Sequence, residues 1–170
     1  MLGGAIHLDG FLDGCDAFFA SVPIARRLDI LKDPRHGSFA LAGLSVVGVT
    51  WLAALWSMDR AVYPAALAFA AAGARWSTIV HARYIPHRSA TNAPFALRPP
   101  LGTLGLGALL IIALGWQLGA RAPVGILTAG AIATLSVTWI RRRLGGAIVG
   151  DGYGFSIVVA EVCALVAIAA

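Results

Sequence analysis

Three aspartates near the start of the chain have the spacing of a shared functional face. Asp9, Asp13 and Asp16 are separated by four and three positions, and no cationic residue lies between them. On a helix that turns about 100° per residue, these positions fall within an arc of roughly 60°. Mg²⁺ prefers oxygen ligands and commonly shares them with substrate phosphates. The spacing therefore predicts a divalent-metal site that holds a phosphorylated substrate.

Two further polar clusters accompany the aspartates. The segment 32–37 contains a lysine, an aspartate and an arginine, and such cations bind phosphate oxygens. The segment 150–154 contains Asp151, and Glu161 follows inside an apolar stretch. Ionisable side chains inside or beside membrane spans are costly and are commonly functional. We therefore expect the three clusters to meet at one site suited to phosphoryl or phosphodiester transfer.

The rest of the chain has the composition of an integral membrane protein. Of its 170 residues, 59% are hydrophobic and 12% are charged, whereas an average soluble domain is roughly 45–50% apolar and about 25% charged. We predict an all-α fold, a polytopic transmembrane helical bundle forming a single domain over 1–170. An acidic helix at 3–20 should precede five spans, each near the ~20 residues that a bilayer core requires. The spans are expected at 38–57, 61–80, 101–119, 122–140 and 153–170.

The basic residues predict which ends of the spans are cytoplasmic. Eleven of the thirteen Lys and Arg residues lie in or beside 21–37, 81–100 and 141–152, and only Arg60 and Arg121 lie in the opposite turns. Lys and Arg collect on the cytoplasmic side of membrane proteins. We therefore expect a multi-pass inner-membrane protein whose active-site loops are cytoplasmic. Orientation in the lipid bilayer also explains the net charge of +5, so no nucleic-acid partner is expected.

The polar clusters resemble the motifs of one enzyme family. Residues 3–16 resemble the signature GGLHLDGLADTADG of the adenosylcobinamide-GDP ribazoletransferases, also called cobalamin-5′-phosphate synthases. Residues 31–37 are similar to the family's MKDSRIG segment, and 144–154 with Glu161 to its LGGxTGDxxGAxxELSE segment. The three matches follow the family's order along nearly the whole chain.

Some positions depart from the family pattern. Pro34 replaces a small hydroxyl residue, and Gly14 and Gly152 stand where threonine is usual. One more transmembrane region normally precedes the first motif. From the resemblance we expect one of three explanations, namely that the sequence is a fragment without that N-terminal helix, that its start is misplaced, or that it is a short homologue.

The resemblance implies a definite reaction and a set of site residues. The family joins adenosylcobinamide-GDP to α-ribazole or its 5′-phosphate with Mg²⁺ as cofactor, and GMP leaves, in the last steps of cobalamin biosynthesis. The oligomeric state is left open. We expect Asp13, Asp16 and Asp33 as catalytic residues, Lys32 and Arg35 as phosphate-binding residues, Asp9, Asp13, Asp16 and Asp151 as metal ligands, and His7 and Glu161 as supporting residues.

Two other classes of protein remain open at this stage. A CDP-alcohol phosphotransferase also uses aspartates on a helix, but its DGxxAR pattern is incomplete here, since Asp9-Gly10 has no Ala-Arg pair at the required spacing. A non-catalytic membrane subunit or small transporter would use the acids as an ion path or an assembly surface. Solute flux without GMP release would indicate the transporter.

Overall fold

The computed structural model describes residues 5–87 and 98–170, and these ranges form a helical bundle. Within them the only β-type pairing is a single bridge between His87 and Ile148, so the predicted all-α fold is confirmed. Gly3 and Gly4 of the first motif, Arg88 and half of the predicted loop 81–100 lie outside the described residues. The helices are α1 (Ala5–Phe19), α2 (Ile24–Ile30), α3 (Ser38–Trp56), α4 (Tyr63–Tyr84), α5 (Leu101–Gly115), α6 (Arg121–Arg143) and α7 (Gly150–Ala169), with 3-10 turns at Arg60–Val62 and Trp116–Leu118.

Four segments are long and apolar enough to cross a membrane. They are α3, α6, α7 and the segment Leu101–Leu118, which combines α5 with the turn that follows it. Each corresponds to a predicted span within a few residues. The fifth predicted span, 61–80, is present as α4, which is long enough but is not among the four apolar segments. Arg75, His81 and Arg83 lie within α4 and lower its hydropathy.

The central helix of the bundle is α7. It packs against α1, α3, α4 and α6, and 61% of its apolar span is buried, against 11% for α3. A helix that is apolar on all sides is suited to such a position. The other three spans keep much of their apolar surface on the outside, as helices that face lipid do.

Two stretches differ from the sequence-based prediction. The segment 21–37 is not a plain loop, because α2 forms within it and packs Leu28 and Leu31 against the core. Arg27 of α2 is buried, and its guanidinium donates to Ala17 O and Phe18 O at the end of α1. The predicted connection 141–152 is shorter, because α6 continues to Arg143 and α7 begins at Gly150.

The described parts of the connections 21–37, 81–100 and 141–152 lie at one end of the bundle. The backbone N–H of Gly37 donates to Asp16 near the end of α1. The N–H of Ile148 donates to Pro86 O, which joins the loop before α7 to the end of α4. The sequence-based grouping of these loops on one side of the bundle agrees with this arrangement, and we call this side the loop end.

Candidate active site

The site is formed where α1 crosses α7 in backbone contact. A Cβ atom added to Gly10 would lie 3.0 Å from the Cα atom of Asp151, so a larger residue at this position would push the helices apart. The absence of a side chain at Gly10 therefore permits the close approach of the two helices. Because Gly10 lies between Asp9 and Asp13 in sequence, the crossing brings both of those side chains near Asp151.

Asp13 has the most perturbed carboxyl group of this site. Burial raises the pKa of Asp13, the charges of Asp9 and Asp151 raise it as well, and His36 acts in the opposite direction, so that the pKa lies at about 6. The Nδ1 atom of His36 lies 3.5 Å from Asp13 Oδ1. The raised pKa thus reflects first the partial burial of this carboxyl group and second the neighbouring carboxylates.

Asp16 serves a different purpose from the other two aspartates of α1. Its Oδ2 accepts a hydrogen bond from Gly37 N at 2.6 Å, and its Oδ1 accepts one from Ala40 N at 3.0 Å. The first N–H groups of a helix have no partner within that helix, so a carboxylate from elsewhere can satisfy them and interact favourably with the helix dipole. Asp16 thus caps α3 and fixes the segment that carries His36.

Two residues of the predicted phosphate-binding segment, Arg35 and Asp33, bind each other. Arg35 donates to both carboxylate oxygens of Asp33, from Nε at 2.9 Å and from Nη2 at 2.8 Å. Hydrogen bonds from Arg35 lower the pKa of Asp33 to about 2, so this carboxylate is ionised at neutral pH and is a poor proton acceptor. Arg35 and Lys32 are exposed, and the arginine would have to leave Asp33 to bind a phosphate with its full set of donors.

Glu161 lies apart from the acidic site. It follows Asp151 by ten positions, which is about 15 Å along a helix. Its Oε2 accepts from Arg75 Nη1 at 2.8 Å, joining α7 to α4. This ion pair and His7 line a cavity of about 200 Å³ whose other walls are apolar. The structure therefore places Glu161, one of the two predicted supporting residues, apart from the carboxylates of Asp13 and Asp151, and His7, the other one, lines the same cavity as Glu161.

The donor set of the acidic site suits Mg²⁺. In residues 5–87 and 98–170, no three Asp, Glu, His or Cys side chains approach closely enough to surround a metal ion. Mg²⁺ does not require such a cage, because it usually binds one or two carboxylates, several waters and substrate phosphates. The structural observation is the partial burial of Asp13 close to the charges of Asp9 and Asp151, which places carboxylate oxygens together at the crossing of α1 and α7. Asp9, Asp13 and Asp151 supply carboxylate oxygens that would suit the ion, and each oxygen of Asp16 accepts one backbone hydrogen bond, which leaves it further lone pairs.

Two features of the structure were not assigned a role from the sequence. His36 contacts Asp13, and the only sequence signal was its position three residues after Asp33. Arg75 lies in an apolar segment of the sequence and pairs with Glu161 of another helix inside the bundle. The sequence does contain one signal for such a pair, a single arginine and a single glutamate in two different apolar segments. Burying either charge without the other costs free energy.

Comparison with known proteins identifies the family. The model of the cobalamin-5-phosphate synthase family matches residues 1–169. The chain belongs to this family. The motif resemblance found in the sequence is therefore confirmed, and the residues at the helix crossing are part of a family member's fold. No solved structure matches the chain.

Several curated relatives are similar over most of the chain. An adenosylcobinamide-GDP ribazoletransferase of Deinococcus radiodurans is 39% identical over 170 residues, which are 96% of this chain and 58% of that protein. The enzyme of the same name from Desulforamulus reducens is 33% identical over 158 residues, 90% of this chain and 62% of the relative. The chain thus spans about three fifths of the length of these relatives.

Proposed function

We propose that this chain carries the reaction site of an adenosylcobinamide-GDP ribazoletransferase. A ribose hydroxyl of α-ribazole, or of its 5′-phosphate, attacks the phosphorus next to the cobinamide. The bond from that phosphorus to the oxygen bridging to GMP breaks. The products are GMP and adenosylcobalamin or its 5′-phosphate. The observation that carries the proposal is the meeting of Asp9 and Asp13 with Asp151, in a chain matched by the family over 1–169.

The residues of the site have distinct tasks in this reaction. Asp9 and Asp151 would hold Mg²⁺, which when bound supplies positive charge that neutralises the diphosphate. Asp13, with a pKa near 6, is suited to accept the proton of the attacking hydroxyl at neutral pH. His36 lies beside Asp13 and orients its carboxylate. Lys32 and Arg35 bind the phosphates after Arg35 leaves Asp33.

The same loop end is proposed to face the cytoplasm of a cell whose inner membrane holds the bundle. The excess of Lys and Arg at this end supports that orientation. A membrane-impermeant thiol reagent should label Arg60→Cys from the periplasm and Arg142→Cys only after permeabilisation, in a Cys15→Ala, Cys163→Ala background. The reverse pattern would contradict the orientation.

The reaction is tested by measuring GMP release from adenosylcobinamide-GDP and α-ribazole with the purified chain in detergent. We expect release that requires Mg²⁺ and that Asp13→Asn lowers at least about a hundredfold, since positioned proton acceptors contribute about 10²–10⁴. Asp59→Asn is the matched control, because Asp59 caps the turn at Arg60–Val62, at the other end of α4. An unchanged rate in Asp13→Asn, or no release by the wild type, would contradict the proposal.

A further inference from the structure

An exposed group of arginines and aromatic rings lies beside the end of α6. The guanidinium carbon of Arg143 lies 5.4 Å from the centroid of the Trp139 ring. Phe19 lies 5.2 Å from Trp139 and 6.4 Å from Phe39, centroid to centroid, and each phenylalanine is 50% exposed. Arg142 is exposed next to Arg143. We call these five residues the arginine–aromatic surface.

The positive charge of this surface is not balanced by nearby acids. Arg27 lies behind it, and burial together with the charge of Arg143 lowers the pKa of Arg27. In the described part of the chain, no carboxylate lies within ion-pair distance of Arg27, Arg142 or Arg143. Arg27 donates to backbone carbonyls at the end of α1, whereas Arg142 and Arg143 have no carboxylate partner among the described residues and are available to an anion from outside the chain.

The position of the surface matches the level of lipid headgroups. A 23-residue helix such as α6 is about 35 Å long, which exceeds the ~30 Å hydrocarbon core of a bilayer. The arginines at its end then lie at the interface, where aromatic side chains are also common. On the same side, α2 packs against the loop after α6, and a Cβ added to Gly145 would lie 3.3 Å from Ile24 Cδ1.

We infer that the arginine–aromatic surface binds the headgroup of an anionic phospholipid. The guanidinium groups of Arg142 and Arg143 donate to the lipid phosphate, for which their planar donors are suited. Phe19 and Phe39 contact the upper part of an acyl chain. A zwitterionic lipid offers the same phosphate, but its ammonium group meets the repulsion of Arg27. The inference concerns a part of the molecule outside the acidic site and does not rest on the proposed reaction.

The test is a lipid titration of the purified full chain in detergent, followed by native mass spectrometry. We expect wild type to bind phosphatidylglycerol at least tenfold more tightly than phosphatidylcholine. The double variant R142Q/R143Q should bind phosphatidylglycerol about thirtyfold more weakly, as expected for two cations near an anionic headgroup. R60Q/R121Q is the matched control, since it removes two arginines from the other side of the bundle, and it should change the affinity less than threefold.

Three results would overturn the inference. They are equal affinity of wild type for the two lipids, equal losses in both double variants, and displacement of phosphatidylglycerol by millimolar inorganic phosphate, which would indicate a site for soluble anions. If R142Q/R143Q does not keep the wild-type melting temperature in phosphatidylcholine, a second measurement on folded protein uses brominated phosphatidylglycerol, which quenches tryptophan fluorescence. Stronger quenching of the tryptophan fluorescence in wild type than in Trp139→Phe supports the site, and equal quenching contradicts it.

Discussion

The bundle contains two groups of ionisable side chains that are built in opposite ways. Arg75 and Glu161 form a matched pair, with 2.8 Å between Nη1 and Oε2, and each charge has its partner. At the crossing of α1 and α7, Asp13 instead faces Asp9 and Asp151, with only His36 to oppose them. Each charge of the first group has its counter-charge, whereas carboxylates predominate in the second. The difference separates a contact that holds helices together from the cluster at which we propose that a metal and a phosphate bind.

The largest expected effect is a loss of GMP release when Asp151, the residue of α7 at the acidic site, is replaced. Asp151→Asn should lower GMP release by about 10² or more, because it removes a proposed metal ligand. Combining it with Asp13→Asn should add little, since residues that act as a unit are strongly non-additive. Steady-state rates of the two single variants and the double variant provide the measurement. Fully multiplicative losses would mean that the two carboxylates act independently.

Substitutions in the ion pair of Arg75 and Glu161 should change the free energy of unfolding. Glu161→Gln leaves the guanidinium of Arg75 without its counter-charge, which should lower the free energy of unfolding by about 3 kcal/mol. The double variant Arg75→Leu, Glu161→Leu should recover most of this loss, because apolar residues of similar size replace both charges. Thermal unfolding in one detergent tests the pattern. A double variant less stable than Glu161→Gln would contradict the structural interpretation of the pair.

The crossing itself can be disturbed without changing any charge. Gly10→Ala places a methyl group 3.0 Å from Asp151 Cα, so it should cost about 1–3 kcal/mol through the forced separation of α1 and α7. It should also lower GMP release, because Asp13 and Asp151 move apart. Gly102→Ala is the control, since its methyl group meets open space in α5. Equal stability of the two variants would show that the helices do not need their close contact.

The smallest expected effect is a gain in stability at the acidic site. The pKa of Asp13 in the folded protein, about 6, exceeds its usual value of 3.8, so ionised Asp13 destabilises the fold above pH 6. This destabilisation disappears as the pH falls through 6 toward 3.8. Without Mg²⁺, Asp13→Asn should therefore melt a few degrees above wild type at pH 7.5, and the difference should vanish near pH 4. A lower melting temperature for the variant at pH 7.5 would contradict the charge crowding.

Much of this arrangement could be predicted from the sequence. Long apolar stretches fix helices in a membrane because unsatisfied backbone groups are costly there, which accounts for the agreement at α3, α6 and α7. The spacing of Asp9 and Asp13 and the family motifs led to the residues that lie at the crossing of α1 and α7. The role of Asp16 could not be foreseen, because helical periodicity assigns it to the same face as Asp13 whether or not another helix takes both of its oxygens.

The two ion pairs, unlike the helices, could not be predicted from the sequence. Arg35 and Asp33 are two residues apart, and nothing in their spacing decides whether they bind each other or a phosphate. Arg75 and Glu161 are 86 positions apart, so their contact depends on how α4 packs against α7. Long-range packing of this kind also explains why α4 tolerates Arg75, since the charge is compensated by another helix and not by the bilayer surface.

The most direct test of the central claim is Mg²⁺ binding by the protein without substrates. At pH 7.5, Mg²⁺ should raise the melting temperature of wild type, because a ligand that binds only the folded state stabilises it. The shift should be lost in the double variant Asp9→Asn, Asp151→Asn and retained in Asp59→Asn. Lowering the pH through about 6 should weaken the effect, since protons compete for Asp13. A shift of the same size in the double variant, or no shift in wild type, would contradict a metal site at the crossing of α1 and α7.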